Sequence, residues 1–461
     1  MKKFLFFALA AVTLIAAECN PDPVIIPVSG ITITPDGIVT MGVGTSVALT
    51  ANITPPDASN QEVTWSSDNT VVATVSSTGV VTGVSAGFAI ISATATDGSA
   101  IEGTRLIAVK TFPSGDGTEA NPYLIRTPKQ LDAVREDLVS YYKLGNNIDL
   151  TGYLAPGGAG YAKWGTEGWM PIGDDTDWFA GGLDGAGFII NGLMINRPTM
   201  FKVGMFGYTV SYIKNLGLEN VDVTGFYGVG ALVGDADFGS ITNCYVTGVV
   251  NGDGVVGGIA GEVSSSIICC YSNASVNSII PDINGCAGGI AGLAGGLLCN
   301  IVNCYATGAV SGDNGVGGLV GINDANITNC YATGSVIGKT SVGGVAGQVH
   351  ANSKITNCIT LNTSVAETGY HYPWIYVGRV IGLDGGTLTN NWAWSGMTVK
   401  YNSGVDKSPL MIGGSQLDGA DCAAVPLASW WTTVAPGGPG WDGLTVWLFA
   451  DGQLPKLRWQ K

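Results

Sequence analysis

Apolar and polar residues alternate in short runs along most of this chain, and the runs end in turn-forming residues. Ile31-Thr32-Ile33-Thr34, the stretch Ser46 to Ile53, Val63-Thr64-Trp65-Ser66-Ser67 and Gly87 to Ala95 all carry the period of two of half-buried strands. Val71 to Val81 adds two strands around a Ser77-Thr78-Gly79 turn, and Trp65 is the expected core tryptophan. About seven strands within residues 24–109, with no cysteine among them, predict a β-sandwich. The period changes once, over residues 110–155. Thr127-Pro128-Lys129-Gln130 reads as an N-cap, a proline in the first turn and a capping-box glutamine, and Leu131, Val134 and Leu138 continue on one helical face. A short helix here would cover the open first coil of a solenoid.

From about residue 156 to 395 the chain repeats. The block V-G-G-(I/L/V)-(A/V)-G occurs at 256–261, 287–292, 316–321 and 342–347 with A for V in the second, and looser copies stand at 203–207, 229–234 and 377–382. A second block, (I/L)-T-N-C-Y-A-T-G, recurs around Asn243, Asn303, Asn329, Asn357 and Asn390. Successive copies lie 26 to 35 residues apart. A unit that short cannot bury its own apolar side, whereas stacked units can, so the pattern predicts a right-handed parallel β-solenoid with a C-terminal cap over residues 396–461. The fold class is therefore all-β, a sandwich followed by a β-helix.

Aligned blocks give three columns. One reads Asn215, Asn243, Cys269, Asn303, Asn329, Asn357, Asn390; the next Leu216, Cys244, Cys270, Cys304, Cys330, Cys358, Asn391; the third Gly217, Tyr245, Tyr271, Tyr305, Tyr331, Ile359, Trp392. Strand alternation sends the cysteines inward as small buried hydrophobes and the tyrosines outward. Free thiols are expected, although coils about 4.8 Å apart put neighbouring cysteines within disulfide reach. The asparagines are expected to cap backbone groups at the turns, and the paired glycines to allow tight corners.

The run VTWSSDNTVVATVSSTGVVTGVSAG together with ISATATDG resembles the bacterial immunoglobulin-like group 2 domain, a module that spaces or presents surface domains. The VGGLVG and ITNCYATG units resemble the GLUG motif. The lead-in GTEANPYLIRTPKQLDAV and the tail GWDGLTVWLFADGQLPKLRW resemble the two ends of the same architecture, so this likeness extends from about residue 114 to 461. GLUG repeats occur in bacterial surface proteins, including some IgA-cleaving metallopeptidases. This chain lacks the H-E-x-x-H of those enzymes, so the resemblance carries no protease activity to it.

Composition narrows the partners. Seventy of 461 residues are glycine, about twice the usual ~7%, and only 12% are charged. A net charge of −15 with 20 basic residues argues against nucleic acid. Lys2 and Lys3 precede an apolar run from Phe4 to Ile15, too short to span a bilayer and fitting a secretory signal over residues 1–18. Cys19 stands where a lipoprotein's acylated cysteine would, with cleavage after Ala17 by the ordinary signal peptidase as the alternative. The expected location is the cell surface or outer membrane, or the medium, with any membrane contact limited to that anchor.

Chemistry is scarce. There are two histidines, His350 and His371, and residues 241–358 hold five acids, Asp253, Glu262, Asp282, Asp313 and Asp324. A paired-carboxylate face is hard to build from that supply, and no metal or cofactor is expected. Asp174, Asp175 and Asp177 form the densest acidic group, read as a solvated turn, and the single G-G-x-G-x-D at 437–442 lacks the tandem copies a calcium β-roll needs. Aromatic side chains offer more. Tyr370, Tyr372, Trp374 and Tyr376 crowd the longest repeat interval, and Tyr245, Tyr271, Tyr305 and Tyr331, continued by Trp392, would make an outward ladder. Trp164, Trp169 and Trp178 form a third group. The expected function is a non-catalytic adhesin for glycans or for host or neighbouring-cell proteins. The alternatives are a polysaccharide lyase or hydrolase using the Asp174–Asp177 loop, and a structural envelope component.

Overall fold

Short alternating runs with glycine turns form the first unit, which ends at Lys110. The computed structural model describes residues 24–278, 285–296, 298–368, 376–383, 385–401, 404–406, 419–424, 426–435 and 437–460. In the first unit Val39–Gly42, Glu102–Lys110, Gly87–Ala95 and Val63–Ser67 make one sheet, faced by Ser46–Ala48, Val80–Gly83 and Ala73–Val75 and by the pair Gly30–Thr34 and Thr50–Thr54. Ile33, Val81, Ile91, Ala93 and Ile107 fill the space between them. Trp65 is half-buried at the edge of this core, where Gly79 (φ +80°) turns beneath it. A Cβ at Gly79 would stand 2.9 Å from the indole and 2.6 Å from the Leu49 carbonyl.

The second unit begins at Thr111. Its strands stack into four sheets of ten, seventeen, seven and seven strands among the described residues, parallel except where Thr398–Tyr401 meets Gly404–Asp406, the architecture of a parallel β-helix. Registers follow the repeat. Val229 pairs with Val256, then Ala287, Val316, Val342 and Val377, one per coil. The Val-Gly-Gly corners need glycine because backbones meet there, since a Cβ at Gly317 would lie 1.9 Å from the Val320 carbonyl oxygen.

At the opposite corner the asparagine column adopts φ of +52° to +55° at Asn215, Asn243, Asn303, Asn329, Asn357 and Asn390, the left-handed region that asparagine tolerates best after glycine. Cys269 holds the same corner at +53°. The amides also bond along the axis, with Asn243 Nδ2 donating to Asn215 Oδ1 at 3.1 Å and Asn390 Nδ2 to Asn357 Oδ1 at 2.7 Å.

The turn sends the next N–H into the coil, and this explains the cysteines better than size alone. Cys244 N–H donates to Cys270 Sγ at 3.3 Å, Cys270 N–H to Cys304 Sγ at 3.4 Å, and Cys304 N–H to Cys330 Sγ at 3.2 Å. At the last coil Asn391 Oδ1 takes over, accepting from Cys358 N–H at 2.9 Å. The thiols are free, and burial holds Cys270 and Cys330 protonated, well above the ordinary thiol value.

The lead-in differs from the sequence expectation in length and detail. Thr127 Oγ1 accepts from Gln130 N–H at 3.2 Å and starts a helix of Pro128–Asp132, which tightens to a 3₁₀ turn at Ala133–Glu136. Leu131 and Val134 are buried against the first coil. The parallel ladder itself already starts at Tyr123–Ile125, well before residue 156. Short helices Thr151–Leu154 and Ala159–Trp164 interrupt it. Asp132, buried in this region, holds Arg135 and Lys163 at 2.8 Å each. Burial alone would raise its pKa, but Lys163 and Arg135 more than offset that and leave it below the usual carboxylate value.

Candidate binding site

The tyrosine column is the most distinctive surface the repeat builds. Pairing of successive N-C-Y blocks sets Gly217, Tyr245, Tyr271, Tyr305, Tyr331, Ile359 and Trp392 in register. Four rings stack nearly parallel, with centroids 4.9, 4.8 and 4.7 Å apart and planes within 3° to 6°. This spacing is the strand spacing of the sheet, so the backbone dictates the stack.

The expected outward ladder is corrected in one respect: its rings leave the coil, but those of Tyr305 and Tyr331 do not reach water. Tyr305 is 6% exposed and Tyr331 2%. Residues 396–461 are expected to close the last coil, and there Thr398–Tyr401 pairs with Ser364–Glu367 and Ala420–Cys422 with Trp392–Trp394. The described residues from 426 to 460 run back along the side of the solenoid as a strap. Trp430 meets Trp392 edge-on at 5.2 Å, Trp441 lies 6.2 Å from Tyr331, Trp447 sits 6.0 Å from Tyr331 and 6.4 Å from Tyr305, and Trp459 lies 5.7 Å from Tyr271.

Polar ends tie the strap down. Tyr331 Oη donates to the Pro455 carbonyl at 2.7 Å, Gln460 Nε2 to Tyr305 Oη at 2.6 Å, and Trp459 Nε1 to the Cys269 carbonyl at 2.8 Å. The physical reason is burial: an apolar, outward row of rings is covered by the segment richest in indoles. The fit is incomplete, since the buried Nε1 atoms of Trp392 and Trp431 have no acceptor among the described residues.

Cover fails at the N-terminal end. Tyr245 and Tyr271 remain half-buried and, with Trp459 and Gln460, wall a cleft of about 510 Å³ that reaches past Gly217 and Ile189 to Asn215, Asp184 and Lys143. Tyr245 Oη donates to Glu219 Oε1 at 2.6 Å, and burial followed by that bond raises its pKa.

The other sequence candidates are scattered. Cys19, Tyr370, Tyr372 and Trp374 lie outside the described residues. Tyr376 is half-buried, and its carbonyl accepts from Val342 N–H at 2.8 Å within the coil ladder. Trp169 is buried and donates to the Met205 carbonyl at 3.2 Å, with the Arg135 guanidinium 5.2 Å above its ring. Asp174 accepts from Thr176 and Asp177 N–H within its own turn. Asp175 pairs with Lys202, which also reaches Asp235 at 2.9 Å. One coil on, Glu262 faces the same corner, and burial, then Asp235, pushes its pKa up. Among the described residues no cluster of three or more His, Cys, Asp or Glu could hold a metal ion.

Comparison with known proteins bears on both units. The model of the bacterial Ig-like domain (group 2) matches residues 27–104, and the GLUG motif matches residues 312–337. Residues 27–104 are a group 2 bacterial Ig-like domain. The GLUG match falls on a coil of the β-helix, joining Val316–Gly317, Val320–Asn323 and Tyr331–Ala332.

A protein of Evansella cellulosilytica described as a Gly-rich membrane protein is 42% identical over 130 residues, 27% of this chain and 14% of that protein. Halomucin of Haloquadratum walsbyi is 33% identical over 186 residues, 38% of this chain and 2% of its own length. The chain thus spans a small part of these relatives. A crystal structure from Bacteroides ovatus, described as an immunoglobulin A1 protease, superposes with TM-score 0.51 at 24% identity, over 76% of this chain and 96% of that one, a likeness of fold. No helix of the described residues is long and apolar enough to cross a membrane.

Proposed function

We propose that the chain is an exported surface protein that uses its β-helix to bind extracellular glycans without catalysing their breakdown. The observation that carries this reading is the open end of the tyrosine stack, where two stacked phenols and Trp459 meet polar side chains in one cleft. Flat rings beside hydrogen-bonding groups suit sugars, whose faces are apolar and whose edges are hydroxylic.

Three further features agree. The N-terminal run from Lys2 to Cys19 has the order of an export signal with a lipid-attachment cysteine. The group 2 Ig-like module suits presentation at a distance from the cell. The similar proteins include a membrane protein and halomucin.

A glycan array probed with the full chain, followed by titration of the best ligand, tests the binding; retention of a defined subset of glycans is expected, and no retained glycan refutes it. Asp235 and Glu262, on successive coils with raised pKa values, favour a second reading as a polysaccharide-processing enzyme. Release of reducing or unsaturated sugars from a polysaccharide panel would establish that reading in place of the first.

A further inference from the structure

The tyrosine stack stops one rung short of where its column ends. Tyr245 is the last ring, and the next residue in register is Gly217, followed by Ile189. Gly217 has no side chain to give, and a Cβ there would lie 2.5 Å from Tyr245 Cε1 and Cζ, so only glycine leaves the ring its position. One face of Tyr245 is covered by Tyr271 at 4.9 Å. The other rests its outer edge over Gly217 and beyond it looks into the cleft, which is bounded laterally by Trp459 and Gln460. At about 510 Å³ this space falls within the ~300–1,000 Å³ typical of small-molecule sites.

The far wall supplies an acceptor and a donor on adjacent strands. Lys143 and Asp184 are register partners, so their side chains project from the same face. Asp184 Oδ1 is engaged, accepting from Ala186 N–H at 2.8 Å and Asn215 Nδ2 at 3.0 Å, while Oδ2 has no bond among the described residues. Lys143 Nζ likewise has no hydrogen bond or ion pair among the described residues.

We propose that this gap is a glycan subsite, in which a pyranose ring lies against the part of Tyr245 that Gly217 leaves open, beside Trp459, with neighbouring hydroxyls held between Asp184 Oδ2 and Lys143 Nζ. A flat aromatic ligand would fill the slot but leave that donor and acceptor unmatched, which is why the chemistry favours a polyhydroxylated ring. The proposal rests on the glycan-binding reading and locates it.

The test is titration of the full chain with the strongest ligand from the glycan array, comparing wild type with Lys143→Met and Ile189→Trp. Lys143→Met removes the donor at a position with no structural partner, and it should weaken binding about tenfold, the loss of one hydrogen bond to a charged group. Ile189→Trp places an indole in the column above Gly217 and should abolish binding by filling the gap. Binding that survives both changes overturns the subsite and leaves the glycan-binding reading standing. Binding lost on Tyr376→Ala but kept in Lys143→Met also overturns it, moving the site to the aromatic-rich interval. If wild type retains no glycan, subsite and reading fall together. Should Ile189→Trp fail to fold, Lys143→Met alone decides.

Discussion

The cysteine and the tyrosine of each N-C-Y block are neighbours in the chain, and each builds a column of one residue per coil. They are stabilised in different ways. The inner column closes on itself, with thiol, backbone N–H and apolar neighbours all supplied by the coil and the next one. The outer column stacks by the same periodicity but is sealed by a segment distant in sequence, 124 residues away at the Tyr331–Pro455 bond and 190 at Trp459–Cys269. Repetition therefore encodes the stack, and a separate, non-repeating sequence encodes its cover.

The sharpest test of that difference places a charge in the inner column. Cys304→Asp leaves a carboxylate where no cation can reach it, and should cost about 4 kcal/mol or more. Because every coil rests on its neighbour, denaturant unfolding should show the loss across the whole solenoid; a loss confined to one coil would contradict the shared-core account. Tyr331→Ala should cost about 3 kcal/mol through the lost ring contacts. Its effect should be local, so hydrogen exchange should speed up in Ala428–Thr432 and Trp447–Leu448 while Val316–Gly317 and Val342–Gly343 keep their protection. Equal loss in coils and strap would mean the columns are not separable. The smallest effect is expected at the uncovered end. Tyr245→Phe keeps the stack and removes only the bond to Glu219, so calorimetry should find a change of about 1 kcal/mol or less.

Most of the architecture was legible from residues alone because it is periodic. The valine-glycine corners, the asparagine turns and the cysteine and tyrosine columns stand in the register that aligned blocks predict. Thr127 caps its helix as the local code requires. What escaped the sequence has no period. Helices at Thr151–Leu154 and Ala159–Trp164 lie in a stretch without a clear apolar face, and the sulfur atoms' role as acceptors comes from a backbone turn that composition does not reveal. The strap is the larger of the non-periodic features. Its signal was present in Trp430, Trp431, Trp441, Trp447 and Trp459, more indoles than one coil end can bury, but matching them to rings needs three dimensions. The cleft was hidden for the opposite reason, since Gly217 looks like a decayed repeat position when read in line.

The order of contacts along the strap has a consequence for how such a chain can change in length. Trp441 serves Tyr331, Trp447 spans Tyr331 and Tyr305, and Trp459 serves Tyr271 and Tyr245, so the segment runs back over the rings in reverse. Inserting a whole coil would keep every ladder bond but slide the count by one, uncovering a further ring; deleting one would bring Trp459 over the gap and close it. The C-terminal segment thus works as a ruler, and the number of coils can drift only in step with its length.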